Sequence, residues 1–277
     1  MNRKNRFFSY MLAGFLALTL SACASVPNEA AQGNKGEAGL AKGNQAELYV
    51  LAAASLADAM KELQTLYETG HPEVKLFITL GSSGTLQQQI QQGAPADLFF
   101  SAASKQMDAL VANGLIDQKK KTNLLENELV LIVPKGAAAA AASFADLQKE
   151  ELKKIAIGQP QTVPAGTYAE QSLARLGIWT EIAAKIVFAK DVRQVLTYVE
   201  TGNTEAGIVY KTDALASDKV QIAATADPAT HEPIVYPLGI VKSSKHVRQA
   251  EAFYEWLQGD EARKVFARYG FKTAGKP

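Results

Sequence analysis

Small polar residues follow several apolar, strand-like segments of this chain, at points where helix-like patterns begin. Ser55 follows the alanine run at residues 52–54, and Ser82 and Ser83 lie within the glycine-flanked segment 81–85. Hydroxyl groups and the unpaired N–H groups at a helix start are hydrogen-bond donors that suit an anion. These positions therefore favour capture of an anion at the ends of strands.

Both motifs also have ordinary structural interpretations. Ser55 precedes Asp58 by three residues, which is the spacing of a capping box that closes a helix start. Glycines flanking Ser82 and Ser83 let the backbone approach a ligand and turn successive amides toward one concavity. The spacing matches neither a Walker loop nor the nucleophile elbow Gly-x-Ser-x-Gly. From these residues alone, the capping interpretation of Ser55 is favoured over the anion-binding one.

Three further segments repeat the strand-to-helix arrangement. Pro164 and Gly166 are predicted to set a rigid turn before a helix, Val192 opens another helix, and Tyr210 ends the strand-like segment 206–210. A phenol at a strand end can reach a cleft. Each feature alone has an ordinary explanation, and their shared position after a strand is what favours a common site.

Charged residues near these segments are assigned supporting roles. Arg193 has two interpretations, as an anion clamp or as the partner of a nearby acid such as Asp191 or Asp97, and pairing is favoured. Asp97 is interpreted as a hinge or lobe-packing residue, because a carboxylate in the cleft would repel an anion.

Catalytic groups do not accompany the serines. The three histidines, His71, His231 and His246, fall in predicted loops far from the serine motifs in sequence, and Cys23 is the only cysteine. No spacing of metal ligands occurs. The sequence therefore predicts a protein that is not an enzyme, with no cofactor and no bare metal cation.

Alternating short strands and helix-period segments position these motifs, and this alternation predicts the α/β class. Strand patterns form two clusters, with a late strand and a helix after them. This arrangement predicts two lobes joined by two crossover segments, with lobe I at 47–126 and 237–277 and lobe II at 127–236. Ligands of open α/β sheets bind at the carboxyl ends of strands, so the site is expected in the cleft between the lobes.

The N-terminal segment predicts export. Residues 1–22 have a basic start and an apolar run, as signal peptides do. The residues before Cys23 resemble a bacterial lipobox, which implies acylation of Cys23 and attachment to the bilayer. Residues 23–46 are rich in Gly, Ala, Asn and Gln and predict a flexible tether.

Charge excludes a polymeric partner. Without the basic residues of the leader, 26 Lys and Arg residues stand against 28 Asp and Glu residues, a net charge of −2. Nucleic-acid-binding proteins usually carry a dense basic stripe, so no nucleic acid is expected.

The body resembles the substrate-binding proteins of bacterial ABC-type molybdate importers. The matching segments are AAASL at residue 52, GSSGTL at 81, GAPADLFFSA at 93, VPAGTYA at 163, DVRQVL at 191, EAGIVY at 205 and RYGF at 268. The resemblance implies a type II periplasmic-binding-protein fold and a monomer that delivers molybdate or tungstate to permease subunits. It also implies an oxyanion held by neutral donors from Ser55, Ser83, Ala165, Val192 and Tyr210. A slip of one residue would substitute Ser82 for Ser83.

Three other functions are weighed against this one. Sulfate or thiosulfate binding is the nearest alternative, because those ions share the tetrahedral geometry and the charge. An adhesion or scaffold lipoprotein predicts an apolar patch rather than donors at strand ends. A serine hydrolase requires a base, which the positions of the histidines do not supply.

We predict that metabolic labelling with a fatty acid tags the protein and that Cys23→Ala abolishes the label. The thioether that carries the diacylglyceryl group needs the cysteine sulfur, and acyl chains supply the hydrophobic anchor. Wild-type protein without label would contradict the lipoprotein interpretation.

Overall fold

A computed structural model describes residues 45–137 and 141–274 of the chain. They form eleven strands and nine α-helices. The strands are β1 Ala46–Ala53, β2 Val74–Gly81, β3 Leu98–Phe100, β4 Ile116–Glu126, β5 Leu129–Pro134, β6 Ile155–Gly158, β7 Ile186–Ala189, β8 Ala206–Tyr210, β9 Val220–Thr225, β10 Val235–Val241 and β11 Lys272–Thr273. The helices are α1 Ala57–Gly70, α2 Ser83–Gln91, α3 Ser104–Ala112, α4 Pro164–Arg175, α5 Trp179–Ile182, α6 Val192–Glu200, α7 Lys211–Leu215, α8 Val247–Leu257 and α9 Asp260–Arg268.

The first sheet contains the N-terminal strands and the last two strands. Its order is β11-β4-β10-β3-β1-β2, with β1 parallel to β2 and β3 and with β10 antiparallel to β3 and β4. Apolar side chains of β1 such as Leu48 and Val50 are fully buried, and α1 covers them with Met60 and Leu63. The carboxyl ends of β1, β2 and β3 therefore lie at one edge of the sheet.

The second sheet contains the middle of the chain, in the order β7-β6-β8-β5-β9. Strand β6 runs parallel to β7 and β8, and β5 runs antiparallel to β8 and β9. Strands β6 and β8 are buried along their whole lengths and β5 along all but its last residue, Pro134, as expected for strands with helices on both faces. The carboxyl ends of β6, β7 and β8 form a second loop-bearing edge.

Strands β4 and β9 lie where the sequence shows no strand pattern, and so does the two-residue strand β11. Strand β4 carries three consecutive lysines and exposes most of its middle, while β9 alternates only weakly. Both are held by pairing, since β4 lies between β10 and β11 and β9 pairs with β5. Their antiparallel pairing adds to that of β10 with β3 and of β5 with β8, and both sheets are mixed rather than parallel.

The chain passes between the sheets twice. It leaves the first sheet after Glu126, enters the second at Leu129, leaves it after Thr225 and returns at Val235. The lobe boundaries at 126/127 and 236/237 stay a prediction about which residues move together.

The signal peptide, Cys23 and nearly all of the tether lie outside the described residues. Among the residues that are described, no helix has the length and apolar character to cross a membrane.

Candidate functional site

The five residues predicted to hold an oxyanion line one small cavity between the two sheets. Ser55 and Ser83 come from the first sheet's edge, and Ala165, Val192 and Tyr210 come from the second. The cavity volume is about 10 Å³, roughly what one water molecule needs. In this arrangement the two sheets therefore leave little free space between the lining residues.

Three helices begin at this cavity. Ser83 and Val192 are the first residues of α2 and α6, and Ala165 is the second residue of α4. Amides in the first turn of a helix have no intrahelical acceptor, and the helix dipole makes this end partly positive. The same lining contains no Asp, Glu, Lys or Arg side chain.

Ser82 and Ser83 use their hydroxyls differently. The Ser82 hydroxyl caps α2, accepting from the Thr85 amide at 3.3 Å and donating to the Thr85 hydroxyl at 2.8 Å. The buried Ser83 Oγ accepts from the Ala102 amide at 2.9 Å. The Ser83 proton is therefore available to a ligand, whereas the Ser82 proton is already donated. This geometry favours Ser83 over Ser82 as a donor.

Ser55 does not cap a helix. It lies inside the short 3₁₀ turn Ala54–Leu56, and the helix after it begins without a side-chain cap, so the capping-box interpretation is wrong. Its hydroxyl lies 2.8 Å from the Tyr236 hydroxyl, which also accepts from Asn127 Nδ2 at 3.2 Å. With Asn127 donating to Tyr236 and Tyr236 donating to Ser55, the Ser55 proton is left for a ligand.

Gly166 acts through close packing rather than through a turn. It lies within α4, after Pro164 at the first helical position. A Cβ on Gly166 would lie 2.0 Å from the Gly158 carbonyl oxygen at the end of β6. Only a residue without a side chain lets the start of α4 approach the strand this closely. This contact sets how closely the start of α4, which carries Ala165, lies to the end of β6.

Tyr210 is the last residue of β8 and is almost fully buried. Its hydroxyl donates to the Ala102 carbonyl oxygen, in the loop after β3 across the cavity, at 3.5 Å, which is long for a hydrogen bond. Burial raises the pKa of the Tyr210 phenol well above its ordinary value, and burial does the same for Tyr236. Both phenols are therefore protonated and able to donate at neutral pH.

Arg193 points away from the cavity and binds two acids. Its guanidinium pairs with Asp58 on α1, and its Nε lies 2.9 Å from Asp213 Oδ1 on α7. Pairing is thus the correct interpretation, but the partners are neither Asp191, which caps α6, nor Asp97. Burial raises the pKa of Asp213 to about 7, and the Arg193 guanidinium opposes that rise.

Asp97 packs within the first lobe, at the opposite end of β3 from the cavity. Its carboxylate accepts from the Tyr49 amide at 2.7 Å and from the Ser244 hydroxyl at 2.5 Å. These contacts tie β1 to the turn that follows β10. The lobe-packing interpretation is therefore the one that its contacts support.

Two residues of the site are missing from the sequence-based set. Ala102 lines the cavity and contacts Ser83 and Tyr210 through its backbone. It follows β3, so the rule that selected the other strand ends also selects it. Tyr236 is 181 positions from Ser55 in the chain, and no local pattern indicates their contact.

Comparison with known proteins assigns the family. The model of the bacterial extracellular solute-binding proteins matches residues 48–272 of this chain. The chain belongs to this family. Members bind solutes for transport and are not enzymes, and the family places this solute-binding protein on the extracytoplasmic side.

Individual relatives are similar along most of their lengths. A Bacillus subtilis protein named putative ABC transporter substrate-binding lipoprotein YvgL is 54% identical over 81% of this chain and 85% of its own. The molybdate-binding protein ModA of Escherichia coli is 38% identical, covering 84% and 92%. The structure of the Azotobacter vinelandii periplasmic molybdate-binding protein matches with a TM-score of 0.75 and 26% identity, covering 82% and 100%. This solute-binding protein has the same two-lobed type II fold.

We predict that Arg193→Met lowers the free energy of unfolding by about 3–5 kcal/mol, because a buried carboxylate loses its cation. Without the guanidinium, the pKa of Asp213 in the folded state rises further above its ordinary 3.8. The folded state therefore binds the Asp213 proton more tightly than the unfolded state does. Stability contributed by that proton is present at low pH and is lost as the pH rises. Unfolding in urea at pH 5 and pH 8 should show that the free energy of unfolding of Arg193→Met falls further below that of wild type at pH 8.

Asp58→Asn is the matched control for this prediction. The Asp58 side chain is 45% exposed, whereas Asp213 is fully buried. An exposed pair contributes about 0–1 kcal/mol, so this variant should unfold nearly as wild type does. Equal losses in the two variants, or a loss for Arg193→Met that does not change with pH, would contradict the assignment.

Proposed function

We propose that this protein captures molybdate, and tungstate as its near-isostere, outside the cytoplasm and delivers it to an ABC importer. The observation that carries the proposal is the donor set of the cavity. Helix-start amides and hydroxyls from two sheets line a space without a charged side chain. A relative named as a molybdate-binding protein, 38% identical over 84% of this chain, supports this choice of ion.

The proposed oxyanion contacts are the amides and hydroxyls of Ser55 and Ser83, the amides of Ala165 and Val192, and the Tyr210 hydroxyl. Hydrogen bonds from neutral donors to a charged acceptor are shorter and stronger than neutral pairs. Because the donors are neutral, no lysine or arginine has to be desolvated before the anion enters. The partly positive starts of α2, α4 and α6 add to the attraction.

Capture by two lobes implies closure around the ion. The first sheet carries Ser55 and Ser83, and the second carries Ala165, Val192 and Tyr210. An ion that binds both edges favours the closed arrangement over the open one. We propose that 47–126 with 237–277 moves as one body against 127–236, through the two crossover segments.

The transport role requires a membrane location. We propose that the exported chain is held at the membrane by acylated Cys23, with residues 23–46 as its tether, and acts as a monomer. A relative at 54% identity carries the name of a lipoprotein, which supports the anchor. Permease subunits of the importer are the proposed protein partners.

We expect Ser55→Ala and Ser83→Ala each to weaken molybdate binding, measured by isothermal titration calorimetry. A hydrogen bond to a charged group contributes about 1.5–3 kcal/mol, so each affinity should fall roughly 10- to 150-fold. Circular dichroism should report an unchanged fold. Ser243→Ala, at an exposed position outside the cavity, is the matched control and should bind as wild type does. Wild-type affinity in both cavity variants would remove these serines from the site.

A second prediction concerns the choice among oxyanions. Phosphate keeps at least one proton at neutral pH, and that P–O–H group needs an acceptor. The amides among the proposed contacts cannot accept it, and the hydroxyls could accept it only by turning away from donating to the anion. An unsatisfied buried donor costs about 1–3 kcal/mol. Molybdate and sulfate carry no proton, and the longer metal–oxygen bonds of molybdate give it closer contact with both lobes. Calorimetric titration should therefore rank molybdate above sulfate and phosphate last.

Either of two other rankings would point elsewhere. Phosphate binding as tight as that of molybdate would mean that an acceptor lines the pocket. Sulfate binding tighter than that of molybdate would transfer the proposal to a sulfate importer.

A further inference from the structure

Gly84 is a point of backbone contact between the two lobes. It is the second residue of α2, and its N–H donates to the carbonyl oxygen of Thr162 at 2.9 Å. Thr162 lies between β6 and α4, on the second sheet. The neighbours of both residues in the chain, Ser83 and Val163, line the cavity. The two lobes therefore meet directly beside the proposed site.

The contact leaves no room for a side chain at residue 84. A Cβ there would lie 2.5 Å from the Thr162 carbonyl oxygen and 2.7 Å from its Cα, whereas favourable contacts between carbon atoms are about 3.5–4.0 Å. The backbone of Gly84 is helical and has no positive φ. The local conformation therefore accepts alanine, and only the approach of Thr162 requires glycine.

Thr162 has little freedom to retreat within its own lobe. Its N–H and that of Val163 both donate to the Gln159 carbonyl oxygen, at 3.1 and 2.8 Å. The Thr167 hydroxyl donates to the Pro160 carbonyl oxygen at 2.7 Å and fastens the same loop to α4. The steric clash of a side chain at residue 84 with Thr162 would therefore be relieved by separation of the lobes rather than by a shift of the loop.

We propose that Gly84 is a positioning residue for ligand capture, which touches no ligand and sets how closely the lobes approach across the cavity. The inference rests on the proposed function. The Gly84 amide has no acceptor within α2, because it lies in the first turn of that helix. It donates to the opposite lobe and not to the ion. Affinity then depends on this contact because donors from both lobes must reach the same oxyanion.

The test is Gly84→Ala, with molybdate as the probe. Overpacking at a fixed contact disfavours the closed form, and a coupling of ordinary size changes affinity roughly 5- to 150-fold. Calorimetry should show a loss in that range, and stopped-flow measurements should place it mainly in faster dissociation. Gly70→Ala is the matched control, since a Cβ at this helix end meets nothing within 4 Å, and it should bind as wild type does.

Two further measurements separate closure from simple damage to the fold. Alanine is the better helix former, so thermal unfolding of the ligand-free variant should occur no lower than that of wild type. Small-angle scattering should show compaction of wild type on saturation with molybdate and a larger radius of gyration for saturated Gly84→Ala. Wild-type affinity with wild-type compaction would overturn the proposal, and so would a lowered melting temperature of the ligand-free variant whose radius of gyration equals that of Gly70→Ala.

Failure of the proposed function would give a different result. Wild type that binds no oxyanion would refute molybdate capture. The closure role would then be judged on the ligand-free proteins, where Gly84→Ala is still expected to be less compact than Gly70→Ala. Equal radii of gyration for those two variants would overturn the role of Gly84.

Discussion

The site depends on one constraint, which is that donors from two separate sheets must meet at a single small cavity without a charged side chain among them. A helix start satisfies this constraint, because its amides are neutral, unpaired and partly positive. The chain supplies three such starts, those of α2, α4 and α6, and three hydroxyls, those of Ser55, Ser83 and Tyr210. Each donor follows a strand, so the sheets themselves determine where the donors lie.

Charged side chains lie close to the cavity but do not line it. Arg193 follows Val192 directly, yet its guanidinium is held by Asp58 and the buried Asp213. A cation used in this way is not available as a clamp that would attract any anion regardless of shape. The pair with Asp58 also joins helices that belong to different sheets, α1 and α6. The same arginine therefore contributes to the meeting of the lobes.

Two glycines determine how closely backbone segments approach one another beside the cavity. Gly166 lets the start of α4 approach the end of β6, and Gly84 lets the start of α2 approach the loop before α4. Neither position has a positive φ, so the requirement arises from neighbouring atoms rather than from the local backbone. Proximity of this kind explains how small residues influence a site without contributing a polar group.

Local patterns in the sequence were sufficient for the α/β class, for most strands and for the strand ends that carry Ser55, Ser83, Ala165, Val192 and Tyr210. Periodicity of apolar residues encodes these features directly, and parallel strands bring their carboxyl ends to one edge. Strands β4 and β9 were not visible, because partners in the sheet hold them rather than their own patterns.

Tertiary structure alone decided which partners the polar groups of the site take. The Ser55 hydroxyl contacts Tyr236 instead of capping a helix, and Arg193 pairs with Asp58 and Asp213. The Gly84 N–H donates to the Thr162 carbonyl oxygen in the other lobe. The physical reason is that these contacts join residues far apart in the chain, and a hydrogen bond or a close approach forms only after packing has placed both partners.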